Sequence, residues 1–125
     1  MSSFPFYLFL VHFYLSYPLT SHILNGTDGT HAGGIKVTFS KLGEVKIFET
    51  KTDEGGRLKS KIDSVKIDSF ATYELVFETG PYWIDRGFKQ IMDQVVLRFK
   101  IPDPSSDYHM PIIISPNSYS VWWSK

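Results

Sequence analysis

The chain has 125 residues, 42% of them apolar and 16% aromatic, which fits one domain with its own core and excludes wholesale disorder. Its 13 basic and 13 acidic residues cancel, so it lacks the basic footprint that a nucleic-acid partner demands. It has no cysteine, which removes disulfides and thiolate chemistry and leaves the redox compartment open.

The first stretch, Phe4 to Tyr17, reads FPFYLFLVHFYLSY and is almost wholly apolar. At about 14 residues it is too short to cross a bilayer as a helix, so no stable membrane span is expected. No Lys or Arg precedes it and no small-x-small site follows it, as a secretory leader would require. Residues 1–18 are read as an apolar N-terminal extension and 19–125 as the folded domain.

From Leu19 onward the chain alternates. Ile35, Val37 and Phe39 point one way against Lys36 and Thr38, and Val45 and Ile47 repeat this against Lys46. Tyr73, Leu75 and Phe77 alternate with Glu74 and Glu78. Val95, Leu97, Phe99 and Ile101 alternate with Arg98 and Lys100. Met110, Ile112 and Ile114 alternate with His109 and Ser115. A period of two marks strands with one buried face. Turn chemistry separates them: Gly26 to Gly29, Gly33-Gly34, Gly55-Gly56, Gly80-Pro81, Pro102 to Asp107 and Pro116-Asn117. Seven to eight strands at this spacing predict an all-β antiparallel sandwich or barrel, with one short helical turn near Asp85 to Met92. Val76, Val96 and Ile113 place apolar groups on the other face as well, as expected of an oligomer that covers it.

Four histidines are available for chemistry. His12 lies in the extension, and His31, in a glycine-rich turn, is expected to be solvated. His22, in LTSHIL, and His109, in YHMPIII, are polar groups set among strongly apolar strand neighbours. Each alone reads as a partly buried, hydrogen-bonded ring, and Arg57 alone as a surface charge opening a strand. Short metal-ligand spacing, a nucleophile elbow and a phosphate loop are all missing from the pattern, so zinc and Ser-His-Asp readings of these histidines are weak. Asn25-Gly26-Thr27 matches a glycosylation acceptor but is read as a turn ending the first strand.

Four ordered segments carry a family resemblance. LTSHILNGTDGTHAGG, ETKTDEGGRL, YELVFETGPYW and YHMPIIISPNSYSVWW together resemble the 5-hydroxyisourate hydrolases, from about Leu19 to the C-terminus. The fold so implied is the transthyretin-like β-sandwich, which also serves the hormone carrier transthyretin. His22, Arg57 and His109 stand where the hydrolases carry His, Arg and His; the carrier would call for Lys, Glu and Thr. The resemblance therefore implies an enzyme of urate (purine) degradation acting on a small planar purine-derived substrate. It also implies a homotetramer with clefts between subunits, and no metal or organic cofactor.

Those residue types suit the hydrolysis of a cyclic amide. Histidine takes a proton from water near neutral pH. The Arg57 guanidinium holds developing oxyanion charge with a planar fork of donors. One of His22 and His109 is expected to deprotonate water while the other orients it or the substrate. The family ends in Tyr-Arg-Gly-Ser, whereas this chain has Trp122-Trp123-Ser124-Lys125. Trp122 keeps a ring at the tyrosine position and is expected to bind substrate by stacking. The alternative reading is a non-catalytic carrier of small molecules. The expected location is cytoplasmic, with peroxisome and secretion open, because Ser-Lys-Leu does not close the chain.

Overall fold

The computed structural model describes residues 17–124. Residues 1–16 of the apolar extension, His12 among them, and Lys125 fall outside the described residues, while Tyr17 and Pro18 already belong to the first strand. The strands are β1 (Tyr17–Asn25), β2 (Lys36–Lys41), β3 (Lys46–Lys51), β4 (Arg57–Ile62), β5 (Thr72–Phe77), β6 (Val95–Lys100), β7 (Tyr108–His109), β8 (Ile112–Ser115) and β9 (Ser118–Val121). A 3-10 turn at Ser64–Lys66 and one helix, α1 (Thr79–Asp85), complete the list.

Two sheets pack face to face. One runs β4-β1-β8-β9, with β7 also on β1; the other runs β3-β2-β5-β6. All pairings are antiparallel except those of β1 with β7 and β8, which are parallel. Thr20 pairs with His109 and Ile23 with Ile112 in one unbroken register, so β7 and β8 are a single strand interrupted at Met110-Pro111. Pro111 has no N–H to give to a ladder, which explains the break. The Ser21 hydroxyl donates to the Met110 carbonyl at 2.6 Å and spans it.

The alternation seen in the sequence builds the core. Ile35, Val37, Phe39, Tyr73, Leu75, Phe77, Ile112 and Ile114 are all at most 1% exposed. Burying each large side chain contributes roughly 1.5–3 kcal/mol, and the aromatic rings add directed contacts. Phe39 stacks on Phe48 at 5.2 Å and on Tyr73 at 5.5 Å.

Two expectations are corrected. Val45 and Ile47 do not face the core; they are 87% and 48% exposed. Phe39 pairs with Phe48 but Ser40 with Lys46, so Ile47 is the extra residue of a bulge. A one-residue bulge resets the alternation, and Phe48 takes the inward place. The helix lies at Thr79–Asp85 and not at Asp85 to Met92. Pro81 sits in its first turn, where the missing N–H costs nothing. Gly87, at φ 81°, ends it: its N–H bonds to Ile84 O and that of Phe88 to Trp83 O, both at 3.0 Å. Tyr82 and Trp83 anchor the helix in the core.

Candidate active site

Strand register decides which side chains meet. In β1, Leu19, Ser21 and Ile23 face the core, so Thr20, His22 and Leu24 face outward. His22 pairs with Arg57 of β4, and Thr20 pairs with His109 of β7. The three residues singled out in the sequence therefore share the outer face of one sheet, on three adjacent strands. They line an open face and not a closed cavity.

Each is held from behind. The Thr20 hydroxyl meets His109 Nδ1 at 2.7 Å and fixes that ring, leaving Nε2 as the nitrogen that Thr20 does not engage. The His109 main chain is bonded both ways to Ser124, N to O at 3.0 Å and O to N at 2.8 Å. Arg57 emerges from a tight turn in which Asp53 Oδ1 accepts its N–H at 2.9 Å. Gly56 in that turn has φ 71°, and a Cβ there would lie 2.4 Å from the Ile23 carbonyl oxygen. Only glycine lets this turn press against β1, where Gly56 O accepts from Ile23 N at 2.8 Å. No described carboxylate forms an ion pair with the Arg57 guanidinium.

His22 is poised as a neutral imidazole. Burial, then the Arg57 charge, then His31 hold its pKa below the ordinary 6.5, with a smaller push from His109. A hydrogen bond to the Gly55 backbone works the other way. A ring in this state is ready to accept a proton at neutral pH.

His31 corrects the sequence reading. It is exposed, as expected, but it is not simply solvated: its Nδ1 lies 2.9 Å from His22 Nε2, and the rings stack at 5.0 Å. Its loop returns along β1, bridging Leu24 to His31. The buried Thr52 hydroxyl secures the loop by donating to Ala32 O at 3.0 Å and accepting from Ile35 N at 2.9 Å. The turn Asn25 to Thr30 is the signal that could have found it, because so short a reversal must bring His31 back beside β1. Thr20 and Ser124 carried no such signal; a lone hydroxyl is uninformative until the register is known.

Trp122 lies further along the same face. Its N–H donates to Pro111 O at 3.3 Å, in register with the Ser124–His109 bridge, so it shares the outward side with Ser124. Its indole makes no hydrogen bond or ring contact with the three residues within one chain. It borders, with Val96, Leu97, Phe99, Val121 and Trp123, an apolar concavity of about 300 Å³ at the open sheet edge. Trp123, itself exposed, stacks on the buried Tyr108 at 6.1 Å. Among the described residues no cluster of three or more His, Cys, Asp or Glu could hold a metal ion. Nor is any helix among them long and apolar enough to cross a membrane.

Known proteins resemble this chain in sequence and fold. A 5-hydroxyisourate hydrolase from Pseudomonas aeruginosa is 34% identical over 111 residues, covering 83% of this chain and 88% of its own. One from Mus musculus is 30% identical over 112 residues, covering 86% and 94%. The solved Klebsiella pneumoniae 5-hydroxyisourate hydrolase superposes with a TM-score of 0.74 at 27% identity, covering 87% of this chain and all of that one. A sea bream transthyretin solved with thyroxine gives 0.78 at 25%, covering 86% and 95%. The family model described as HIUase/Transthyretin family matches residues 19–123. This chain belongs to the HIUase/transthyretin family.

Proposed function

We propose that the chain hydrolyses 5-hydroxyisourate to 2-oxo-4-hydroxy-4-carboxy-5-ureidoimidazoline in urate degradation. The observation that carries this reading is the register that sets His22 opposite Arg57 and Thr20 opposite His109 on one sheet face. His22 takes a proton from water, because burial and the Arg57 charge keep it unprotonated at neutral pH. The water oxygen bonds to the ring carbonyl carbon, and Arg57 holds the oxyanion that forms. The carbon–nitrogen bond then breaks, the nitrogen takes up the proton from the imidazolium, and a carboxyl group is left. His109, fixed by Thr20, orients the substrate.

An open face surrounds substrate on one side only. A second copy of the chain supplies the other wall, in a homotetramer with the site between subunits. Ile113, 37% exposed, and Trp122, 49% exposed, are surfaces such a partner would cover, with the indole stacking on the planar substrate. We place the protein in the cytoplasm, which cell fractionation checks.

The test is a spectrophotometric assay with freshly generated 5-hydroxyisourate, run beside light scattering for chain number. Acceleration over spontaneous decay by a four-chain species is expected. No acceleration, together with tight binding of a small aromatic ligand, would turn the reading towards a carrier.

A further inference from the structure

We infer that His31 is a positioning residue for this reaction: the hydrogen bond between its Nδ1 and His22 Nε2 sets the tautomer and orientation of the His22 ring beside Arg57. The inference rests on the hydrolase reading.

Geometry supplies the argument. The two nitrogens are 2.9 Å apart, and the rings are 26° from parallel. Two imidazole nitrogens at that distance share one proton, since two lone pairs or two N–H groups would repel. The groups that act electrostatically on His22 are Arg57 from β4, His31 from the loop and His109 from β7. Arg57 is permanently cationic, and the Asp53 carboxylate accepts the Arg57 backbone N–H and is not among the charges acting on His22. So of these groups His31 is the one whose ring both bonds to His22 and can accept a proton. Its loop is held in place by Asn25 N donating to Thr30 O at 2.8 Å and Ala32 N donating to Ile23 O at 2.9 Å. His22 is partly buried while His31 is exposed, so the pair runs from the site to bulk water.

His31→Phe keeps a flat ring for stacking and removes both nitrogens; His31→Ala leaves space for added imidazole. His31→Phe is expected to lower kcat about tenfold with little change in KM, on the scale of weakened acid–base help. It should also shift the nitrogen-15 resonances of His22, which report its tautomer. Added imidazole should restore much of the kcat of His31→Ala. A wild-type protein without turnover overturns the hydrolase reading itself. Wild-type turnover that His31→Phe leaves unchanged, with unchanged His22 resonances, overturns the role of His31 alone.

Discussion

The outer faces of the two sheets are built from different charge logic. On the β3-β2-β5-β6 side, cations meet carboxylates: Arg98 Nε lies 2.9 Å from Glu74, and Lys46 lies 2.7 Å and Lys36 3.5 Å from Glu49. On the β4-β1-β8-β9 side, Arg57 stands beside His22 with no described carboxylate paired to it, and the imidazoles bond to a hydroxyl or to each other. The first face is neutralised and solvated, and such exposed pairs add little stability. The second sets a cation beside a proton acceptor, with no described carboxylate paired to that cation, as the proposed chemistry would need.

The contrast can be broken from the strong side first. His22→Ala or His109→Ala should lower turnover of 5-hydroxyisourate roughly 100- to 10,000-fold while leaving the thermal unfolding curve in place. Arg57→Gln should cost about 100- to 1,000-fold in kcat, as for a lost oxyanion donor. It also has a pH signature. On the proposed mechanism catalysis needs neutral His22, whose pKa is depressed below 6.5, so activity should fade only as pH falls below that value. Removing the Arg57 charge takes away one cause of the depression, and the acid limb of the kcat/KM profile should move to higher pH. Gly56→Ala places a Cβ against the Ile23 carbonyl in a left-handed conformation; it should cost about 1–3 kcal/mol in urea titration and loosen Arg57 along with the turn. Arg98→Gln, on the neutralised face, should change stability by less than about 1 kcal/mol and leave kcat alone.

Much of this was legible beforehand, and the exceptions have physical reasons. Period-two runs such as Ile35-Val37-Phe39 announce a buried strand face wherever the ladder is regular. The same pattern misled at Val45 and Ile47, because the bulge that shifts them is a property of the pairing and not of either strand alone. Gly80-Pro81 reads as a turn between strands but lies in the first turn of α1, where proline is tolerated. His22, Arg57 and His109 were singled out by family resemblance; nothing in their spacing says that they converge. Convergence depends on a parallel register between β1 and β7, which links residues 89 positions apart. His31 was visible as a turn residue, yet its partner became apparent only when that turn was seen to fold back on β1.

The Asn25-Gly26 pair has a further consequence. In a flexible chain this dipeptide ages quickly, because the glycine nitrogen attacks the neighbouring amide carbon to form a succinimide. Here Gly26 N is committed to Ile114 O at 2.7 Å, and the Asn25 amide is buried, donating to the Tyr82 hydroxyl at 3.0 Å and accepting from Thr27. Native packing thus shields the chain's most labile amide, and deamidation there would record time spent unfolded.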